Sequence, residues 1–189
     1  KLVVADNKTN RDILVLQMRS WGIRVSAALD GPDALQTLHE AEDLKYPFQV
    51  ALLDMNMPGM DGFSMGRIIK ADSRIKDIAL VLMTTMAQLG DAKRFEELGF
   101  AGYLVKPVRE TDLFDCLLAI LSNDSEEQKD IPIVTRHSIR DMRRRNTRIL
   151  LVEDNKVNQQ VAINILKKQG FPNVDIACDG VEGLKAFTK

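Results

Sequence analysis

Two carboxylates, a hydroxyl and an amine each come directly after a short apolar run of this chain. They belong to Asp6, Asp54, Thr84 and Lys106. If the apolar runs are parallel strands of one sheet, these side chains lie at the edge formed by the carboxyl ends of the strands, where doubly wound sheets bind their ligands. The order of the residues therefore predicts a single site that contains all four groups.

These four groups together could bind a metal ion and take part in phosphoryl transfer. Two carboxylates form a hard oxygen site suited to Mg²⁺, which takes one or two carboxylates and completes its octahedron with water and phosphoryl oxygens. A carboxylate can also attack phosphorus, provided that nearby positive charge neutralises the incoming group. Lys106 and the metal ion would supply that charge, and the Thr84 hydroxyl would donate a hydrogen bond to a phosphoryl oxygen.

The rest of residues 1–121 supplies the elements that this site needs. Apolar runs alternate with segments of helical period, a pattern typical of βαβ units around a parallel sheet in an α/β fold. The predicted strands are residues 2–4, 24–28, 50–53, 78–83 and 102–105. The predicted helices are residues 9–20, 32–41, 62–71, 87–98 and 111–121.

A linker and a partial repeat follow this first domain. Residues 122–147 begin with a polar, acidic stretch that cannot bury a core, and we interpret them as a linker. Six arginines lie between positions 136 and 148. They fit a solvated linker helix better than a patch for nucleic acid, because no aromatic residues are interleaved for stacking on bases. Residues 150–158 then repeat residues 2–10, so residues 148–189 are predicted to be the N-terminal fragment of a second copy.

Composition excludes several classes of protein. The 189 residues are 45% hydrophobic and 28% charged, with a net charge of −1, which is typical of a folded globular chain with no global attraction to nucleic acid or anionic membrane. The apolar runs are far shorter than the ~20 residues of a membrane helix. Cys116 and Cys178 have no metal-binding spacing and predict buried free thiols in a reducing, cytoplasmic compartment. Because the chain starts at Lys1, we expect a piece of a longer protein.

Four motifs together resemble those of a response-regulator receiver domain over residues 1–121. They are Val4-Ala5-Asp6-Asn7, Leu53-Asp54-Met55-Asn56-Met57-Pro58-Gly59-Met60-Asp61-Gly62, Met83-Thr84-Thr85 and Tyr103-Leu104-Val105-Lys106-Pro107. Each motif alone is weakly specific, whereas their order and spacing together are highly specific. The resemblance implies a flavodoxin-like doubly wound sheet of five parallel strands in the order 2-1-3-4-5.

The resemblance also implies a role for each site residue. Asp54 is then the phosphoacceptor, and the Mg²⁺ ligands are Asp6, Asp54 and the backbone carbonyl of Asn56. Thr84 and Lys106 hold the phosphoryl group. The resemblance also implies that the Tyr103 side chain switches rotamer. It further implies that the peptide bond between Lys106 and Pro107 is cis.

One residue departs from the family pattern. The family has two acidic residues after the first strand, as the second copy does with Glu153 and Asp154, but the first copy has Ala5 before Asp6. The missing carboxylate normally orients metal-bound water, so we expect weaker Mg²⁺ binding and reduced phosphorylation. A pseudo-receiver that binds proteins without phosphorylation is the main alternative. A phosphatase of the haloacid-dehalogenase type is less favoured, since it needs an aspartate where Asn56 stands.

The resemblance places the chain in two-component phosphorelay signalling. The receiver would accept a phosphoryl group from a histidine kinase or a histidine phosphotransfer domain and would catalyse its own phosphorylation and dephosphorylation. Tandem receivers resemble the carboxyl-terminal part of a hybrid sensor histidine kinase, whose kinase core these residues lack and whose parent chain can be membrane-anchored. We expect no nucleic-acid or membrane contact by this piece. The incomplete second copy would expose a sheet edge and invite dimerisation or domain swapping, and the counterpart of Asp54 would lie after Lys189.

Overall fold

The computed structural model describes residues 1–85, 91–122, 133–135, 138, 141 and 144–187. The chain divides into two compact units, Lys1–Arg136 and His137–Lys189. Each unit is described by itself below. No helix in the described part of the chain is both long and apolar enough to cross a membrane.

The first unit is built on one parallel sheet of five strands. These are β1 (Leu2–Val4), β2 (Ser26–Ala28), β3 (Val50–Asp54), β4 (Ala79–Thr84) and β5 (Phe100–Val105). Their order is β2-β1-β3-β4-β5, and every neighbouring pair is parallel. The sheet confirms the predicted flavodoxin-like topology.

Four of the described helices of this unit connect the strands of the sheet, and a fifth follows β5. They are α1 (Lys8–Ser20), α2 (Gly31–Asp43), α3 (Gly62–Ala71), α4 (Asp91–Glu97) and α5 (Glu110–Leu121). Helices α1, α2 and α3 each begin after an N-cap side chain that accepts a backbone N–H, provided by Asn7, Asp30 and Asp61. The first part of the helix predicted at residues 87–98 lies outside the described residues.

Helices on both faces bury the central strands completely. All residues of β1 and β3 are buried, and β4 is buried from its second residue onward. This explains why these strands are continuous apolar runs instead of alternating polar and apolar residues. The only polar side chains buried in these three strands are Asp54 and Thr84, both at strand ends. Two of the predicted site residues, Asp54 and Thr84, therefore lie at the same edge of the sheet, at the ends of buried strands.

The two cysteines differ in environment. Cys116 of α5 is buried, but Cys178 is exposed, so the prediction of two buried thiols is wrong for the second. Cys178 follows the last strand of the second unit, where its backbone N–H donates to the Glu182 carboxylate. The described two-stranded sheet there leaves most nearby apolar side chains in solvent.

This difference predicts that the two thiols react at very different rates. Burial, with a smaller effect of Asp115, raises the pKa of the Cys116 thiol to about 12. Alkylation at pH 8 should therefore modify Cys178 first and Cys116 about 1,000-fold more slowly, since the thiolate is the reactive form. Peptide mass spectrometry after timed labelling measures both rates. A Cys178→Ser variant should lose the fast phase, and comparable rates at both positions in the folded protein would contradict the prediction.

Two residues from the stretch predicted as a linker pack against the first unit. Ile133 and Val134 are buried, and Val134 forms a parallel bridge with Gly102 of β5. Residues 123–132 of that stretch lie outside the described part of the chain. The β5 edge of the sheet thus has a short additional partner.

The second unit repeats the beginning of the fold. Strands β6 (Arg148–Val152) and β7 (Asn173–Ala177) form a parallel pair, accompanied by α6 (Lys156–Lys168) and α7 (Gly180–Phe187). These are the β-α-β-α elements that the sequence repeat predicts. Their large apolar side chains are mostly exposed, including Val157, Ile165, Leu184 and Phe187.

Candidate functional site

Asp54 lies at the centre of the site because β3 is the central strand and Asp54 is its last residue. Its side chain is only 2% exposed. The chain then turns sharply into α3, and the Met55 N–H donates to the Met83 carbonyl on β4, 2.8 Å away. The backbone of the neighbouring strand therefore fixes the position from which the Asp54 carboxylate projects.

Lys106 contacts the Asp54 carboxylate directly. Its Nζ lies 2.5 Å from Asp54 Oδ2, and the Asn56 backbone N–H donates to Oδ1 at 3.0 Å. The Lys106 backbone N–H donates to the Thr84 carbonyl at 2.7 Å, which ties the end of β5 to that of β4. The Lys106–Pro107 peptide bond is cis, as the family resemblance implied. Both oxygens of the buried carboxylate thus have a hydrogen-bond donor.

Asp6 lies on the neighbouring strand at the same edge of the sheet. Strand β1 pairs with β3 through Val4 and Leu53, and Asp6 is two residues beyond that pair. Unlike Asp54, Asp6 is exposed, and its Oδ1 accepts the Asn7 backbone N–H at 2.7 Å. One carboxylate of the pair is therefore buried and paired with a cation, while the other faces solvent.

The turn between β1 and α1 is held by a residue that the sequence analysis did not single out. The Arg11 side chain is 6% exposed and donates to the Ala5 carbonyl at 2.5 Å and to the Asp6 carbonyl at 3.2 Å. In the second unit Gln159 occupies the corresponding position and donates to the Glu153 carbonyl at 2.6 Å. This repeat of one contact indicates that the side chain shapes the turn that carries the acidic residue.

The hydroxyl groups of the site lie at the end of β4. Thr84 is buried, whereas Thr85 is exposed and accepts a hydrogen bond from the Asn56 side chain at 3.4 Å. Tyr103 of β5 is partly buried, with its ring edge-on to Phe95 of α4 at 5.7 Å. The structure therefore places Tyr103 in the interface between α4 and β5, two residues before the end of the strand.

An open cavity of about 460 Å³ adjoins Asp54 and Lys106. Its lining also includes Ala5 and Thr85, together with the residues Asn10, Ile13, Leu14, Met83, Pro107 and Val108. The side of the cavity formed by Ile13, Pro107 and Val108 is apolar. The sequence analysis identified Pro107 through its motif with Lys106, but it did not identify Ile13 or Val108, because nothing in their local pattern distinguishes them from ordinary helix and loop positions.

In the second unit, hydrogen bonds to Glu153 distinguish the acidic pair from the carboxylates of the first site. Glu153 Oε1 accepts the Asn155 backbone N–H and the Asn158 side-chain amide, each at 3.1 Å. These two donors lower the pKa of the Glu153 carboxyl, with that of Asn158 contributing most. Glu153 and Asp154 lie at the end of the unit's first strand, as the repeat predicts.

The donor set at the first site fits a small hard cation. No cluster of three acidic, histidine or cysteine side chains suited to a metal occurs among the described residues. Mg²⁺ does not need one, because one or two carboxylates and a carbonyl suffice when water completes the octahedron. Asp6 and Asp54 provide the carboxylates, and Asn56 can provide the carbonyl.

Comparisons with known proteins identify the family to which the first unit belongs. A family model described as the response regulator receiver domain matches residues 2–118. Response regulator PleD of Caulobacter vibrioides is 38% identical over 113 residues, which make up 60% of this chain and 24% of PleD. The chain therefore aligns with about a quarter of that relative's length.

Two solved structures share the fold of the first unit. The chemotaxis response regulator CheY4 of Vibrio cholerae is 28% identical, with a TM-score of 0.57, and the match covers 63% of this chain and 95% of that one. The receiver domain of a sensor histidine kinase from Pseudomonas aeruginosa is 30% identical, with a TM-score of 0.53, and the match covers 65% of this chain and 96% of that one. That structure has magnesium coordinated in its active site cleft. Because the family model matches more than half of the chain, this protein belongs to the response regulator receiver family of two-component signalling.

Proposed function

We propose that the first unit receives a phosphoryl group on Asp54 in a phosphorelay. The observation that carries this proposal is the contact between the buried Asp54 carboxylate and Lys106 Nζ at 2.5 Å. A buried carboxylate held by a lysine has positive charge where an incoming phosphoryl group would bring negative charge. Membership of the receiver family makes phosphoryl transfer the chemistry that best fits this pair.

The source of the phosphoryl group is a phosphohistidine of a histidine kinase or a phosphotransfer domain. An oxygen of Asp54 attacks phosphorus, and the bond between phosphorus and the imidazole nitrogen breaks. The electron pair of that bond stays with the imidazole, which is released from phosphorus. Lys106 stabilises the charge of the transferring group, and the Thr84 hydroxyl donates to one of its oxygens. Tyr103 then follows Thr84 inward and alters the face formed by α4 and β5.

Magnesium is the cofactor of the proposed transfer. Asp6, Asp54 and the Asn56 carbonyl would hold the ion, which supplies charge neutralisation to the transferring phosphoryl group. The related receiver from Pseudomonas aeruginosa has magnesium in its active site cleft. The residues of this chain orient the Asp54 oxygen that accepts the phosphoryl group. The sheet beneath Asp54 excludes water from one side of that oxygen.

The parent protein is proposed to be a hybrid sensor histidine kinase. Support comes from the repeat of the β-α-β-α elements after the first receiver and from the solved receiver domain of a sensor histidine kinase that shares the fold. The protein partners are then a kinase or a phosphotransfer domain. The site on the described unit offers them a cavity with an apolar side next to Asp54.

Intact-mass measurement with a small phosphodonor tests the proposed function. We expect a mass increase of one phosphoryl group that requires Mg²⁺ and is absent when the metal is chelated. Asp54→Asn should show no adduct, since an amide cannot act as the acceptor. Asp61→Asn is the matched control, because Asp61 caps α3 a few residues away and its side chain accepts the Ser64 N–H.

The alternative of a pseudo-receiver has a distinct outcome. A folded protein that gains no phosphoryl group, and shows no heat of binding when titrated with beryllofluoride in the presence of Mg²⁺, would contradict the proposed function. An adduct that persists in Asp54→Asn would assign the acceptor to another residue.

Restoring an acidic residue at position 5 should strengthen metal binding. Ala5 is buried beside the site, and its side chain offers no acceptor for metal-bound water. Residues that orient the ligands of a metal typically change affinity by 10- to 100-fold, so we expect Ala5→Asp to raise Mg²⁺ affinity by about tenfold or more. Isothermal titration calorimetry with Mg²⁺ measures the change. Ala5→Asn is the uncharged control, and equal effects of both substitutions would assign the gain to polarity instead of charge.

A further inference from the structure

The open edge of the sheet at β5 is partly covered by residues 133–135, here called the 133–135 segment. The Val134 N–H donates to the Ala101 carbonyl at 2.8 Å, and the Val134 carbonyl accepts the Tyr103 N–H at 3.0 Å. These two bonds make the parallel bridge between Val134 and Gly102. The segment therefore binds β5 as an added strand, by the mode in which extended peptides bind exposed sheet edges.

The segment is held by its apolar side chains as well as by its backbone hydrogen bonds. Ile133 is 7% exposed and Val134 is 4% exposed, values typical of the core of a domain. Ile133 belongs to the same buried cluster as Phe95 of α4 and Phe100 of β5. Its backbone N–H also donates to the Glu96 carboxylate at 3.4 Å. The segment thus closes the interface between α4 and β5 from outside.

A glycine in β5, Gly102, allows the segment to lie this close to the strand. A side chain at Gly102 would place its Cβ 2.9 Å from the Val134 carbonyl oxygen and 3.3 Å from both Val134 Cβ and Cys116 Sγ. Atoms at such distances must shift, so only glycine allows the segment to lie at its observed distance. The glycine on this edge strand therefore indicates a position adapted to receive the segment.

The same strand connects the segment with the phosphoryl site. Tyr103 donates its backbone N–H to Val134, and three residues later Lys106 contacts Asp54. Tyr103 also packs on Phe95, which shares a buried cluster with Ile133. A change at Lys106 that shifts β5 or rotates Tyr103 must therefore alter the groups that hold the segment.

We propose that the β5 edge is an interaction surface occupied by the chain's own 133–135 segment, and that phosphorylation of Asp54 weakens this occupancy. The proposal rests on the proposed function. The segment is docked in the arrangement in which Lys106 pairs with the Asp54 carboxylate, and a phosphoryl group on Asp54 replaces that pair with new contacts. Release exposes the N–H of Tyr103 and the apolar face between α4 and β5.

The coupling must act in both directions. If phosphorylation weakens docking of the segment, then removing the segment favours the phosphorylated arrangement by the same factor. Coupling free energies between sites typically change affinity by 5- to 150-fold. A variant with a released segment should therefore bind beryllofluoride, a mimic of the phosphoryl group, more tightly than the native chain.

Amide hydrogen exchange of the whole chain, read by NMR at Tyr103, tests the docking. Val134→Pro removes the N–H that bonds to Ala101 and should speed exchange at Tyr103 by about tenfold or more. Val134→Thr keeps the N–H and the branched shape and should retain most of the protection. Equal protection in the native chain and in Val134→Pro, with both folded, would overturn the docking.

Beryllofluoride with Mg²⁺ tests the coupling on the same samples. We expect exchange at Tyr103 to rise about tenfold in the native chain and to stay unchanged in Asp54→Asn. Val134→Pro should bind beryllofluoride about tenfold more tightly than Val134→Thr, as measured by isothermal titration calorimetry. Binding of beryllofluoride without faster exchange at Tyr103 would overturn the coupling alone. Absence of any binding would overturn the proposed function together with the coupling, while the Val134 variants still decide whether the segment docks.

Discussion

Replacement of Lys106 by alanine will slow phosphorylation of Asp54 by about 100-fold, the effect typical of removing one preorganised group that stabilises transition-state charge. Lys106 Nζ lies 2.5 Å from Asp54 Oδ2, and the Asn56 backbone N–H donates to the other oxygen of this carboxylate. Without the ammonium group, the transferring phosphoryl group meets a buried carboxylate whose charge is less well neutralised. The rate of adduct formation, followed by intact mass at saturating Mg²⁺, measures the loss.

Two further variants separate charge at this position from a general effect of lysine removal. Lys106→Arg keeps the cation but exchanges a compact ammonium for a planar guanidinium, so we expect a rate between those of the native chain and the alanine variant. Lys76→Ala removes an exposed lysine at the opposite end of the sheet, just before β4, and should leave the rate unchanged. A native rate in Lys106→Ala would remove Lys106 from the proposed mechanism.

The strands were predictable because their signal is local. A strand buried on both faces is a continuous apolar run, and residues 2–4 and 50–53 show this pattern directly. The ends of the strands were less predictable. Strands β3 and β4 each extend one residue further, to Asp54 and Thr84, because those residues pair with Met83 and Val105 on neighbouring strands. Such pairing depends on the register of distant segments and leaves no mark in the local sequence.

The residues of the site also differ in whether the local sequence was enough to predict them. The order of the polar residues after the strands, together with the family resemblance, identified Asp54 and Lys106, which lie in contact although 52 residues separate them. Arg11 resembled an ordinary charged residue of a surface helix. Its burial follows from two carbonyl partners that are close only once the turn after β1 is formed.

The 133–135 segment was missed for a related reason. Its two buried residues stand in a stretch that otherwise has the polar composition of a linker, and a run this short has no detectable period. The available signal was the apolar sequence Ile131-Pro132-Ile133-Val134 within that stretch. Only the position of the β5 edge explains why Ile133 and Val134 are apolar.

Gly62→Ala will lower the free energy of unfolding by about 3 kcal/mol, at the upper end of the usual cost of forcing an extra group into a packed site. A Cβ at this position would lie 2.3 Å from the Asp54 carbonyl oxygen and 3.1 Å from Leu82 Cδ1. Backbone cannot move aside as a flexible side chain does, so α3 or the end of β3 must shift. Urea unfolding followed by Trp21 fluorescence measures the loss, and the displaced Asp54 should also be phosphorylated more slowly.

Gly31→Ala is the matched control within the same unit. Gly31 also follows an aspartate N-cap and begins a helix, but its Cβ would meet the Met60 side chain, with the closest atom, Sδ, at 2.6 Å. A flexible methionine can rotate away, and alanine favours a helix by up to ~1 kcal/mol over glycine, so the net cost should stay below about 1 kcal/mol. If both substitutions cost the same, the conformational preference of glycine would explain the loss. A larger loss for Gly62→Ala alone would assign it to the close approach of α3 to the backbone of Asp54, the contact that fixes the phosphoacceptor against its sheet.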